Sequence, residues 1–419
     1  MLKRLIAVMA VLAMVAGVAF GQASFGGQLQ IGTNLLKGDN GENSDVTMGG
    51  IGFHEAKMLV TFGDDKGGGK LVFVASNPDG TAYAHLVGTS ASGKNINLQT
   101  WGFLFWRPIQ QFRMQVGVNA DGDFGIAQIS GWGFTGEAKN SVGSMNEYEN
   151  WGMQWWPLYV WQSGSRPGNA FYPGTGDAPN VNFQFFPIYG LTATLVLPID
   201  GGQSLHVQDQ ISDFHLSVKY NIEEVGMASF SFIGRGGLGY GGADKYGEKA
   251  ASAGDIYASF YLTALEGMVA ELGLNYNLPW KNTSGQENGG YMGIGAGFSL
   301  NSGGPFTFKA RVNATIGGKD EGVDRTTLIY ANVLPCYKIT NNLWAFFYAG
   351  ISVETAWANY SGSRIGWFVN PYIWVRASEG LRFWSGIQLY QDGREAGKFG
   401  AMVNSPLMWR VPFGFNFYF

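Results

Sequence analysis

The sequence predicts an all-β protein, a single closed antiparallel transmembrane β-barrel of about 18 strands. Three observations predict it. Apolar and polar residues alternate with period two along most of the chain. Strands recur as hairpins whose connections are alternately short and long. The chain closes on an alternating aromatic segment, Trp409 to Phe419.

Composition sets the bounds. The chain has 419 residues, of which 46% are hydrophobic, 15% aromatic and 14% charged, with 64 Gly and one Cys. Low charge with abundant aromatics excludes disorder, which needs the reverse. One Cys excludes a disulfide framework and any Cys-based metal cluster. Length alone would also suit two or three soluble domains, and the arrangement of segments decides against them.

The chain opens with a targeting segment. Lys3 and Arg4 precede an apolar run from Leu5 to Phe20, followed by Gly21-Gln22-Ala23 as a small-x-small cleavage site. This is the pattern of a secretory signal peptide spanning residues 1–23. Loss of Lys3 and Arg4 takes the formal charge from −4 to −6, and an acidic chain is a poor partner for nucleic acid. After Ala23 no apolar stretch is long enough for a transmembrane helix.

Seven strands are read in the first half, at 26–37, 48–62, 69–77, 97–106, 111–119, 180–187 and 190–200. The second strand changes parity near His54-Glu55, which signals a bulge. The second half holds five hairpins: 213–222 with 226–236, 254–264 with 267–278, 289–300 with 305–316, 327–338 with 342–354, and 364–376 with 380–391. Phe306 to Ile316 is typical, with Phe, Phe, Ala, Val, Ala and Ile on one face and Thr, Lys, Arg, Asn and Thr on the other. Longer polar connections follow each hairpin, at 237–253, 279–288, 317–326, 355–363 and 392–407. A sandwich has no reason to place every long connection at one end, whereas a membrane barrel does. With the terminal strand the count is 18. Sixteen would satisfy the same even parity.

The terminal strand is the most specific signal. It carries an aromatic or apolar residue at every odd position and ends in Phe419. It resembles the last strand of bacterial outer-membrane barrels, which carries the terminal Phe read by the barrel-assembly machinery. Pro412 departs from the pattern, since proline removes a ladder donor, and it is expected on the inward side at an irregularity. The glycine- and aromatic-rich composition also has a general likeness to spirochaete outer-membrane proteins. The resemblance implies an outer-membrane location, short periplasmic turns and contact with lipid and the assembly machinery. A homo-oligomer is compatible with it.

Residues 120–179 form a connection far longer than the rest and rich in aromatics, among them Trp132, Trp151, Trp155, Trp156, Tyr159 and Trp161. In the porins that the chain resembles, one long loop folds into the lumen and narrows it, and this segment is read the same way. The alternatives are an outer cap and two further strands.

Motifs for catalysis and cofactors fail. Gly234-Arg235-Gly236-Gly237-Leu238-Gly239 matches G-x-G-x-x-G but lacks the helix of a dinucleotide site. His54, His85, His206 and His215 have no paired ligand spacing. Asn119, Asp121 and Asp123 alternate as in a calcium loop, without the Gly and distal Glu of that motif. No G-x-S-x-G occurs. No enzyme and no cofactor are expected.

The face opposite the apolar stripe lines the interior. By alternation it carries Arg113, Lys219, Lys309, Arg311, Arg364, Arg376, Arg382 and Arg410 against Glu271 and Glu354. Inward aromatics recur at Trp344, Tyr348, Tyr372, Trp374, Trp384 and Tyr390. A barrel of 16–18 strands leaves an aqueous channel. The expected activity is therefore passive diffusion of small hydrophilic solutes, mildly selective for anions. A carrier of apolar ligands of the fatty-acid type, and a surface adhesin or structural barrel, are the competing readings. The carrier family has an N-terminal plug, for which the short segment before the first strand leaves no room.

Overall fold

Period-two alternation builds strands because successive side chains point to opposite faces of the pleat. In the computed structural model these strands form one ring. The structure describes residues 23–39, 52–76, 97–117, 180–198, 214–235, 253–278, 280–281, 287–288, 291–317, 319–320, 323–324, 327–357, 360–391 and 407–418. The first half supplies β1 (Ala23–Asp39), β2 (Gly52–Gly63), β3 (Gly67–Ser76), β4 (Asn97–Ile109), β5 (Phe112–Gly117), β6 (Asn180–Phe185) and β7 (Leu191–Pro198). The second supplies β8 (His215–Ile222), β9 (Gly226–Arg235), β10 (Ala253–Leu262), β11 (Met268–Asn277), β12 (Tyr291–Asn301) and β13 (Phe306–Gly317). It ends with β14 (Thr327–Thr340), β15 (Leu343–Trp357), β16 (Tyr360–Arg376), β17 (Leu381–Gly386 and Gln388–Gln391) and β18 (Met408–Tyr418).

Each strand pairs antiparallel with its neighbour in sequence, and β18 returns to β1 in a ladder from Gln28↔Tyr418 to Asp39↔Met408. The ring is thus closed with eighteen staves, β17 being one stave in two pieces. Closure removes the sheet edges that an open sheet would expose.

Eight short connections lie at the end that also holds Ala23 and Tyr418. Their tips include Asp64–Lys66, Gln110–Gln111, Glu223–Val225 and Asn341–Asn342. Asp64 accepts from the backbone N–H groups of Lys66 at 2.8 Å and Gly67 at 3.0 Å. These two donors hold its carboxyl below the usual Asp range, so the contact is complete at neutral pH and is lost as acid titrates the group. The β8–β9 turn needs a left-handed residue, supplied by Glu224 at φ 60°. It then needs a glycine at Gly226, where φ is 152° and a Cβ would meet the Tyr261 carbonyl oxygen of β10.

Irregularities fall where the sequence marks them. The β1–β2 register jumps from Gln30↔Glu55 to Ile31↔Phe53, so His54 is the bulged residue. Pro412 pairs with Asn34, and β1 shifts register between Asn34 and Leu36. On the other side of Pro412, β17 breaks at Ile387. A residue without an N–H is therefore flanked by slack in both neighbouring ladders.

Three boundaries differ from expectation. β15 runs on to Trp357 and β16 begins at Tyr360, so strand replaces the expected loop at 355–357 and 360–363. The ladder continues because Glu354↔Arg364 and Thr355↔Ser363 keep pairing. The segments 279–288 and 317–326 contain two-residue ladders, Trp280–Lys281 with Glu287–Asn288 and Lys319–Asp320 with Val323–Asp324. The segment 120–179, His85, His206, Asn119, Asp121, Asp123, Phe419 and residues 1–22 lie outside the described residues.

Replacing Gly226 with Ala should lower barrel stability by about 1–3 kcal/mol, the usual cost of forcing a side chain into a disfavoured backbone region. Denaturant titration of the folded barrel in detergent measures it. An unchanged midpoint would refute the close approach to β10.

Candidate functional site: the inner wall of the barrel

Directly opposed residues in an antiparallel ladder share a face, so the registers sort the wall into two surfaces. One is apolar and exposed: Leu104 and Val116 pair across β4–β5, and Leu272, Leu274, Ile294, Val312, Ile329, Ile351 and Ile373 continue it around the ring. Its exposure makes it the lipid-facing surface of a membrane barrel. The other face points inward and is buried.

Half of the inner wall is a polar belt. One row runs Gln115↔Asn182↔Val196↔His215 from β5 to β8. The next runs Arg113↔Gln184↔Thr194↔Ser217↔Ser231↔Tyr257↔Asn275 from β5 to β11. Ser231 donates to Ser217 at 2.9 Å, and the Ser229 and Ser259 hydroxyls lie 3.0 Å apart. Arg113 lies 4.4 Å over the Phe105 ring, and its guanidinium donates to the Gln115 amide oxygen at 2.9–3.1 Å.

A third row crosses to the other half: Tyr261↔Glu271↔Gly297↔Arg311↔Asn332↔Gly350↔Phe368. Glu271 and Arg311 thus stand one strand apart with only a glycine between them. Arg311 donates through Nε and an Nη to the Asn332 amide oxygen at 2.9 Å, and Tyr348 donates to the same oxygen at 3.2 Å. Gly350 is the hole that makes this row work. A Cβ there would collide with the Asn332 side chain and the Phe368 ring.

From β14 to β17 the inner wall is rich in aromatics. Phe346 stacks on Tyr372 with ring centroids 4.6 Å apart, and Trp344–Trp374 and Tyr348–Phe368 meet edge-on at 4.5 and 4.7 Å. Such pairs contribute roughly 0.5–1.5 kcal/mol each beyond area burial. At the short-turn end Arg376 and Arg382 are directly opposed. Arg376 lies 5.6 Å over Trp344, and Arg382 lies 5.3 Å over Trp374 and 4.4 Å over Tyr418.

Every inward residue named from the sequence takes a register position on the inward set. Arg113, Lys219, Glu271, Lys309, Arg311, Arg376 and Arg382 do so, together with Trp344, Tyr348, Tyr372, Trp374 and Trp384. In the ladders Glu354 pairs with Arg364, Tyr390 with Phe368 and Arg410 with Gln388. The wall does not gather these charges into one cluster. They are distributed around the ring. The sequence reading missed Lys70, opposed to Phe103 on the same face, although the alternation Lys70-Leu71-Val72 marks it. It also missed the amide and hydroxyl belt, whose residues are individually unremarkable and become a surface only when strands are set side by side. Among the described residues no group of three His, Cys, Asp or Glu could hold a metal ion.

Replacing Asn332 with Ala should leave a folded barrel whose stability falls by about 1–3 kcal/mol, because the half-buried Arg311 guanidinium loses an acceptor. Thermal unfolding in detergent reads this, and an unchanged transition would show that Asn332 does not hold Arg311.

No family model matches the chain, and no curated protein matches it. Solved structures do match in fold. OccAB4 of Acinetobacter baumannii aligns with a TM-score of 0.54 at 8% identity, covering 95% of this chain and 98% of that one. OccK9 (OpdG) of Pseudomonas aeruginosa aligns at 0.53 and 10%, covering 96% and 99%. The outer membrane protein opdK of the same organism aligns at 0.52 and 9%, covering 96% and 99%. The chain shares the fold of these outer-membrane β-barrels.

Proposed function

We propose that the protein resides in the bacterial outer membrane as a water-filled channel for small hydrophilic solutes, with a modest preference for anions. One observation carries the reading: the inward set holds a polar belt and more basic than acidic side chains. Lys70, Arg113, Lys219, Lys309, Arg311, Arg376 and Arg382 stand on it, and Glu271 is the carboxylate opposed to them among side chains described there. Basic residues on a low-dielectric wall focus a positive potential on the path and favour anions. Screening acts over about 8 Å at physiological salt, so the charges nearest the narrowest section dominate. Lys309 and Arg311, well inside β13, are the strongest candidates.

The rest of the reading follows the sequence. The short turns face the periplasm, residues 1–23 direct export, and Phe419 is the residue read by the assembly machinery. The aromatic segment 120–179, with Trp151, Trp155, Trp156, Tyr159 and Trp161, narrows the lumen. OpdK of Pseudomonas aeruginosa has been solved with vanillate, an organic anion; that a protein of the same fold holds such a molecule is compatible with an anion path here.

Two measurements test this. Reversal potential across a salt gradient should show mild anion selectivity in the native protein, and Lys309→Glu with Arg311→Glu should move it toward cations. A cation-selective native protein, or no shift in the double variant, would contradict the wall as the filter. Deletion of residues 137–175 should raise single-channel conductance while the barrel still folds. Unchanged conductance would mean that this segment does not narrow the path.

A further inference from the structure

The short-turn rim is chemically uneven. Turns at Asp64–Lys66, Ser302–Gly304, Asn341–Asn342 and Ser378–Glu379 have small, polar or charged tips, with Phe306 and Ile339 the exposed apolar residues beside them, and they lie on adjacent hairpins through the β18–β1 seam. The opposite side differs. The β4–β5 and β6–β7 turns are neighbours on the rim, since β5 pairs with β6. Their tips, Pro108 to Gln111 and Phe186 to Gly190, carry no charged residue. They nevertheless expose large apolar side chains: Ile109 at 58%, Ile188 at 61% and Tyr189 at 81%, with Trp106 at 55% just above.

The one cation of this stretch, Arg107, is turned back on the protein. It donates to the Gln110 carbonyl oxygen at 2.7 Å and lies 5.4 Å from the Phe186 ring centroid. The apolar character extends two hairpins further, to Val225 on the β8–β9 turn and Leu265 on the β10–β11 turn, where Glu223, Glu224 and Glu266 mark its boundary.

We propose that these two turns are seated in the membrane, with the edge formed by Trp106, Ile109, Ile188 and Tyr189 buried at the boundary between lipid headgroups and acyl chains. The barrel then leans, and the rim from β12 through the seam to β3 stands in water. The inference rests on the reading of the chain as a membrane barrel. Lipid is the occupant because the patch is continuous with the lipid-facing surface: Trp106 follows Leu104, and Phe185 follows Phe183, with no polar break on that face. Trp and Tyr are the residues that favour this depth, where the ring is apolar and the N–H or O–H stays hydrated. An amphipathic surface seats its apolar face about 5–10 Å below the headgroups, which is within reach of one turn.

The test uses single cysteines at 109, 188, 189, 341 and 104 in a Cys336→Ala background of the whole chain. Each is labelled with an environment-sensitive dye and reconstituted in phosphatidylcholine–phosphatidylglycerol vesicles. Labels at Ile109→Cys, Ile188→Cys and Tyr189→Cys should be blue-shifted, quenched by nitroxide lipids, and several-fold less quenched by aqueous iodide than Asn341→Cys. Leu104→Cys reports the membrane reading itself. If it is lipid-quenched while 188 and 189 behave like 341, the leaning barrel is wrong and the membrane barrel stands. If 104 is also aqueous, the membrane reading fails. Shielding at 188 and 189 without nitroxide quenching would indicate a protein contact and would equally overturn the proposal. The charged pair Ile188→Asp with Tyr189→Asp should fold and move a label at Ile109→Cys toward water.

Discussion

The structure depends on one constraint: inside a bilayer no backbone polar group can be left to water, so a sheet must close on itself. Here closure falls to the ladder between the first and last strands, from Gln28↔Tyr418 to Asp39↔Met408. Pairing at and beside that seam is irregular. Pro412 has no N–H to give, β1 shifts register beside it, and β17 breaks at Ile387 on its other flank. Each irregularity alone would weaken a ladder. Together they let one proline sit in the wall while Phe413, Phe415 and Phe417 keep their outward positions opposite Thr33, Ile31 and Leu29.

Closure then assigns chemistry. With every strand paired on both sides, alternation has only two destinations, lipid or interior. The apolar set becomes the outer belt, and whatever remains becomes the inner wall. Neighbours in sequence are neighbours around the ring, so local composition becomes a sector of the interior. β5 to β11 make the belt of Gln, Asn, Ser and Thr, and β14 to β17 make the aromatic wall. The row through Glu271, Arg311 and Asn332 joins the two sectors, and the glycine at 350 leaves room for Asn332 and Phe368.

Much of this was legible in the sequence, because a barrel is the fold in which period two carries the most information. The eighteen staves, the bulge at His54 and the inward position of Pro412 all follow from parity. The bulge was legible because a single extra residue flips every later side chain to the other face. What was not legible depended on pairing between segments. Residues 355–363 read as a loop for their Ser, Gly and Asn content, yet pairing carries β15 and β16 through most of it. The break at Ile387 has no local signal and follows from Pro412 on the neighbouring strand. The inner site shows the same division. Individual charges such as Arg311 could be placed by alternation, while the acceptor that holds its guanidinium, Asn332, came from a strand about twenty residues on and needed the register.

The central claim is that this ring encloses water continuous from one side of the membrane to the other. Single-channel recording of the purified protein in a planar bilayer tests it most directly. The account predicts discrete, ohmic steps whose conductance rises with salt concentration. A protein that inserts as a folded barrel and yields no steps at any salt concentration would contradict it.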